Sequence, residues 1–325
     1  MNSIEVIGLG ALNMDHVFRV ERILDDGETV VDDTLSSPGG SAANTICGLA
    51  RLGVPAGFVG AIGDDAEGRL MLQDFEQVGV DVAYVRVKPG TKTGSVLCLS
   101  DSLGRRSLYV VPGANDRLTA DDIDLDYVDQ AKILHISSFA GDRQLQVLRE
   151  LMERLDLSVD VSFTPGALFA ARGIEVLQPI LGRTRLLFIN SDELRQLTGQ
   201  DVIPGAETCL KQGCRVVVVT LGKGMVLETT GGTKVNTVAY IKDAEHEYVI
   251  EHSVQGIAAE ADTIGAGDAF ASGFLYGLLN DKGLDECGRL GDITARFAIG
   301  ELGARQGLPT SSQLWQRYDE LFSGG

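Results

Sequence analysis

Asp262-Thr-Ile-Gly-Ala-Gly-Asp-Ala-Phe270 sets three small residues, Gly265, Ala266 and Gly267, directly before Asp268. Ala269-Phe-Ala-Ser-Gly-Phe-Leu-Tyr-Gly-Leu-Leu279 follows, apolar and with its large residues at helical spacing. The pattern predicts a tight turn opening a helix. The first N–H groups of a helix have no partner within it and can face an anion. An acidic side chain in that first turn is placed to act as a base on a bound hydroxyl. The plainer alternative is a glycine turn with Asp268 as an ordinary helix cap, and the rest of the chain has to decide between them.

Working back from this stretch, the chain alternates strand-like and helix-like segments. Ile4–Leu9 is apolar and β-branched, as expected of a strand inside a parallel sheet. Helices are expected near Ser41–Leu52, Glu67–Val78, Gln144–Arg154, Asp192–Thr198 and Ala206–Gln212. Between them lie strand candidates at Gly57–Ala61, Ile133–Ile136, Leu157–Val161, Leu186–Asn190 and Val216–Leu221. The end reads as helical over Asp285–Ile299 and Ser311–Phe322. Such alternation implies an α/β fold, a doubly wound and mostly parallel sheet with helices on both faces. Two excursions break the rhythm. Asp15–Val20 with Glu28–Leu35, and Gly94–Leu99 with Arg106–Val111 around an Asp101–Gly104 turn, read as paired strands without helices. They are expected to form a small separate sheet, a lid built from about residues 16–37 and 92–112, on one domain spanning 1–325. The polar, acidic stretch Tyr240–Glu260 carries no clear assignment.

Composition bounds the partners. With 46 acidic and 28 basic residues, the net charge of −18 argues against nucleic acid and against anionic membrane surfaces. Five cysteines lack C-x-x-C spacing and four histidines lack ligand spacing, so a reduced, cytoplasmic protein without a zinc site is expected. No basic leader precedes the first strand, and no apolar run is long enough to span a bilayer.

Further polar clusters sit after strands, where ligands of open α/β sheets collect. Asn13 and Asp15 suit sugar or ribose hydroxyls, although a polar turn would look the same. Pro38-Gly-Gly-Ser-Ala-Ala-Asn44 lets the backbone at Gly39 and Gly40 approach a ligand and places the Asn44 amide in the first helical turns. Asn190-Ser-Asp-Glu193 offers an amide and a carboxylate that could organise water about magnesium, or equally a capping box. Thr220-Leu-Gly-Lys-Gly224 offers a hydroxyl and backbone amides to phosphates, but it is not a Walker A loop. Gly8-Leu-Gly-Ala-Leu-Asn13 narrowly misses the dinucleotide fingerprint and no helix follows it, which leaves an NAD-dependent Rossmann oxidoreductase as the alternative from another class.

The order of these motifs, Asn-x-Asp, Gly-Gly-x-x-x-Asn, Asn-x-x-Glu, Thr-x-Gly and Asp-Thr-x-Gly-Ala-Gly-Asp, resembles the PfkB, or ribokinase-like, carbohydrate kinase family over essentially the whole chain. The resemblance implies a β lid over the sugar and transfer of phosphate from ATP, with magnesium, to a hydroxyl of a sugar or nucleoside. It implies Asp268 as the base, with Gly265, Ala266 and Gly267 as the anion hole. Asn13, Asp15, Gly39, Gly40 and Asn44 would hold the acceptor. Asn190 and Glu193 would organise magnesium and phosphate, while Thr220, Gly222, Gly224 and Thr263 would meet the nucleotide. Asp262 and the Ile264 carbonyl match positions for a monovalent cation, K+ in some members. Pairing of two lids would give a homodimer. The sequence also departs from the family. Gly224 comes one residue early, Ser41 replaces a lysine, and Asp160-Val-Ser-Phe-Thr-Pro-Gly166 lacks the Asn and Arg of Asp-x-Asn-x-Arg. The Ser162-Phe-Thr-Pro-Gly166 form and Gly303-Ala-Arg-Gln-Gly-Leu-Pro309 look closer to the nucleoside-kinase-like branch.

Overall fold

A computed structural model describes residues 3–101, 105–229, 231–251, 264–301 and 303–322. Its large sheet is built on β1 (Val6–Leu9), β4 (Ala56–Gly63) and β8 (Ile133–Ser137), whose residues are all buried. Strands covered on both faces need apolar residues throughout rather than alternation, which is how these segments read. The sheet continues through β9 (Asp160–Thr164), β10 (Thr184–Asn190), β11 (Val216–Glu228), β12 (Lys234–Lys242) and β13 (Glu247–Glu251), with β5 (Val85–Lys88) on the far edge. The order is β13-β12-β11-β10-β9-β8-β1-β4-β5, parallel except for the two pairings of β12.

Successive strand residues serve opposite cores. Ile7, Leu134, Leu187 and Val217 belong to one cluster, and Val6, Ile133, Leu186 and Val216 to the other. The first cluster takes in α4 (Asp142–Arg154), α6 (Ile174–Leu181), α7 (Ser191–Thr198) and α8 (Val202–Lys211), with the short helices α3 (Leu125–Val128) and α5 (Gly166–Ala170). The second takes in α1 (Ser41–Arg51), α2 (Ala66–Val78), α9 (Ala266–Leu279), α10 (Leu284–Ile299) and α11 (Ser311–Phe322). The sheet is therefore doubly wound, and none of these helices is long and apolar enough to cross a membrane. All five cysteines are buried.

The two excursions do pair with each other. Strands β2 (Asn13–Val20), β3 (Val31–Gly39), β6 (Gly94–Asp101) and β7 (Arg106–Val111) form a second sheet in the order β3-β2-β6-β7. Residues 102–104 of the expected hairpin turn lie outside the described residues. The bases of the two excursions are tied by one buried side chain, Asn115. Its Oδ1 accepts from Leu12 N at 2.9 Å, while its Nδ2 donates to Leu12 O at 3.0 Å and to Asn13 Oδ1 at 2.9 Å.

Several boundaries differ from expectation for physical reasons. The first lid pair begins at Asn13 rather than 16, and its second strand runs Val31–Gly39 rather than Glu28–Leu35. The strand runs on through Pro38, which pairs with Met14, because β3 is an edge strand, where a missing N–H is tolerated. Leu157 was expected in a strand and is instead 83% exposed. Asp156 accepts from both N and Oγ of Ser158 at 2.7 Å, an Asx turn that delays β9 to Asp160. The unassigned acidic stretch holds the hairpin of β12 and β13, turned by Asp243 accepting from Glu245 N and His246 N; residues 252–260 lie outside the described residues.

Candidate active site

Asp268 sits in the first turn of α9, behind Gly265 at the N-cap with φ 74°. A side chain at Gly265 would be strained in that conformation and would also meet Ala304, so glycine allows both the turn and the packing beneath it. No side chain caps this helix. The amides of Ala266, Gly267 and Asp268 are thus the orphan donors of its N-terminus. Beside them, a Cβ on Gly267 would meet no atom within 4 Å.

The carboxylate is gripped from α1. Ser41 Oγ donates to Asp268 Oδ1 at 2.7 Å and Asn44 Nδ2 to Oδ2 at 2.8 Å. Burial pushes Asp268 up from 3.8 to about 6, against those two hydrogen bonds and the Arg305 guanidinium, which favour the charged form. Asp15, on β2, is pushed up to about 7, first by burial and further by the charge of Asp268, with Arg305 opposing. Gly39 pairs with Asn13 in the lid register, and a side chain at 39 would strike the Asp15 carboxyl. Gly40, at φ 102°, opens α1 with its α-carbon facing Ala11 O.

A second group lies at the ends of β10 and β11. Asn190 and Thr220 are parallel partners in that pairing. Asn190 Oδ1 accepts from Glu193 N at 2.9 Å and Glu193 Oε2 from Asn190 N at 3.2 Å, a complete capping box on α7. Glu193 is raised by burial, with the charge of Asp268 contributing, so the two groups share one electrostatic field. After Thr220 the register with β12 breaks until Met225, which frees Gly222 and Gly224 from regular pairing. No cluster of three or more His, Cys, Asp or Glu suited to a metal occurs among the described residues. A half-buried carboxylate and an exposed amide are compatible with a magnesium ion that keeps most of its water and phosphate ligands.

The structure thus brings Asp15, Gly39, Asn44 and Asp268 together, ties Glu193 to them electrostatically, and sets Asn190 beside Thr220. Asp262 and Thr263 lie outside the described residues, so of the expected cation position only Ile264 is described. Sequence reasoning gave no role to Arg305, which is 6% exposed and donates to Asn44 Oδ1, nor to Ser41 as a partner of Asp268. The Gly303-Ala-Arg stretch was the only local signal for Arg305. A cavity of about 370 Å³ lined by Arg51, Arg296, Gln306 and Gln313 lies elsewhere and includes none of the expected site residues.

The doubly wound sheet thus carries a separate four-stranded sheet, and Asp268 stands in the first turn of a helix with an uncapped N-terminus. The chain belongs to the pfkB family of carbohydrate kinases, whose model matches residues 1–311. An uncharacterized sugar kinase of Archaeoglobus fulgidus is 35% identical, over 81% of this chain and 99% of its own. An ATP-dependent ribose-1-phosphate kinase of Halopiger xanaduensis is 30% identical, over 98% of this chain and 99% of its own. The structure of Arabidopsis thaliana ribokinase complexed with ribose and ATP matches with a TM-score of 0.78 at 26% identity, covering 97% and 98% of the two chains. The protein is a sugar or nucleoside kinase, and the oxidoreductase alternative falls.

Two consequences are measurable. Gly40→Ala forces an L side chain into a left-handed conformation against Ala11 O and should cost roughly 1–3 kcal/mol, whereas Gly267→Ala, at an open helical position, should leave the thermal midpoint the same or slightly higher. For Asp15, the folded value lies above the unfolded one, so its contribution is fully present below about 3.8 and is lost as pH rises through about 7. Asp15→Asn should therefore raise the melting temperature at pH 8 and leave it nearly unchanged at pH 4; equal effects at both values would contradict the burial argument.

Proposed function

We propose that the protein transfers the γ-phosphoryl group of ATP to a sugar hydroxyl, with Asp268 as the general base. The observation that carries this reading is the Asp268 carboxylate, half-buried at an uncapped helix N-terminus and held by Ser41 and Asn44. A proton acceptor raised to about 6 is still mostly ionised at neutral pH, yet basic enough to take a hydroxyl proton as attack proceeds. The bond between the acceptor oxygen and the γ-phosphorus forms as the bond to the β,γ-bridging oxygen breaks, and the hydroxyl proton passes to Asp268. ATP with magnesium supplies the phosphoryl group and neutralises phosphate charge. Asn190 and Glu193 would hold the magnesium through water, and Thr220, Gly222 and Gly224 would meet the nucleotide. The amides at Gly265, Ala266 and Gly267 would stabilise the charge of the transferring group, and Asn13, Asp15, Gly39, Gly40 and Asn44 would hold the acceptor. Such a reaction is catalysed chiefly by positioning and charge stabilisation.

Ribose and ribose 1-phosphate are the first acceptors to try, because two of the relatives described above are named for acting on or binding them. ADP release over a panel of sugars and ribonucleosides, with and without potassium, would identify the acceptor. With that acceptor, Asp268→Asn should lower kcat at least ~10²-fold with the fold intact, and kcat/KM of the parent should fall as pH drops through about 6. Near-normal turnover by the variant would end the assignment. Two chains are further proposed to associate through the lid, where the edge strand β7 leaves Leu108, Tyr109 and Val111 exposed. Light scattering should then show a dimer that Tyr109→Asp converts to monomer; a parent monomer at all concentrations would refute it.

A further inference from the structure

Arg305 has no part in the steps above, yet its guanidinium touches the machinery from behind. It lies in the segment between α10 and α11 and is 6% exposed. Its Nε donates to Asn44 Oδ1 at 2.8 Å and its Nη2 to the Gly39 carbonyl at 3.0 Å. Nη1 is paired with the Asp74 carboxylate on α2, and the guanidinium carbon stands 5.5 Å from the centroid of the Phe75 ring. A buried cation is expected to be paired and hydrogen-bonded, and Asp74 alone would meet the charge requirement. The other two donors are directed instead to the acceptor loop and to the residue that holds Asp268.

The chemistry of the Asn44 amide gives that arrangement a consequence. One end of the amide only accepts and the other only donates, although the two are nearly equal in size. Arginine has donors alone, so it takes Oδ1; an ionised carboxylate has acceptors alone, so it takes Nδ2. Without Arg305 the amide could turn over and present a lone pair to the carboxylate. We propose that Arg305 is a positioning residue: by holding Asn44 Oδ1 and the Gly39 carbonyl, it fixes the Asn44 amide donor on Asp268 and so aims that carboxylate at the acceptor hydroxyl. The inference rests on the reading of Asp268 as the base. Lysine cannot replace this arginine, because a single ammonium lacks the planar fork that spans Asn44, Gly39 and Asp74.

The groups acting on Asp268 are Ser41 and Asn44 from α1, Asp15 from β2, Glu193 from α7 and Arg305. Of these, Arg305 alone brings a positive charge, so charge and geometry are separable by substitution. Full-length protein would be studied as parent, Arg305→Gln, Arg305→Lys and Asn44→Ala. Carboxyl NMR titration of Asp268 and hydrogen exchange of the Asn44 side-chain amide need no acceptor; ATP with the acceptor found in the panel serves for turnover. In Arg305→Gln, Asp268 should titrate at higher pH, Asn44 amide exchange should speed up, and kcat should fall at least ~10-fold with a smaller change in KM. Arg305→Lys should keep the titration near that of the parent yet still release the amide and lower kcat. Arg305→Gln added to Asn44→Ala should cost little more than Asn44→Ala alone. An Asn44 amide that stays protected and an unmoved Asp268 titration in Arg305→Gln would overturn the proposal. If that variant does not fold by circular dichroism, Arg305→Lys and Asp74→Asn carry the same exchange test. Should Asp268→Asn retain turnover while the Arg305 variants still free Asn44, the base assignment fails and the contact stands; the opposite pattern removes only the role of Arg305.

Discussion

A carboxylate taken out of water must find donors, and the need to supply them to Asp268 organises this half of the molecule. The donors come from the first turn of α1, so α1 and α9 have to run close together. Small residues make this possible. A Cβ on Gly48 of α1 would collide with Ser272 of α9, and Thr45 Oγ1 reaches Asp268 O at 3.3 Å. The small residues interleaved in the run after Asp268 are thus a packing requirement of the same constraint that holds its side chain. Behind α9 the pattern repeats, since a Cβ on Gly273 would press on Leu290 and Thr294 of α10. Phe274 fills the space toward the sheet, edge-on to Phe188 at 5.3 Å.

Local chemistry made much of this legible in advance. Gly-Ala-Gly before an acid, Gly-Gly before an amide-bearing helix, and apolar runs between helical patterns are short-range signals whose physics lies within a few residues. The alternating strands and helices gave the doubly wound sheet, and the two helix-free excursions gave a separate small sheet. The failures are equally physical. The end of β3, which passes through Pro38, was missed because edge position is a tertiary property. Leu157 passed for a strand residue because apolar character does not distinguish a core position from the tip of an Asx turn.

The pairings that escaped detection are those between residues far apart in the chain. Arg305 and Asn44 are separated by 261 positions, and Asn115 and Asn13 by 102. Neither periodicity nor spacing can announce such pairs. What they do is also not what their types suggest on first sight: a buried arginine orients an amide, and a buried asparagine stitches two lid excursions by imitating backbone pairing.

The electrostatics of the site are unfavourable to stability in a directed way. Asp15 and Asp268 are each pushed above the ordinary carboxylate range, chiefly by burial, and one guanidinium, already committed to Asp74, opposes both shifts. A fold selected for stability alone would replace such acids with amides of similar shape, removing the desolvation cost while keeping the packing. Retaining two strained carboxylates makes physical sense if a ligand relieves them. Hydroxyl donors of a polyol bound between Asp15 and Asp268 would supply the hydrogen bonds that water gives them elsewhere. As one of those hydroxyls attacks, its proton would neutralise the more deeply held charge. On the proposed reading, the desolvation cost of Asp268 would be recovered along the reaction, and its poor solvation would serve the proposed role as a base.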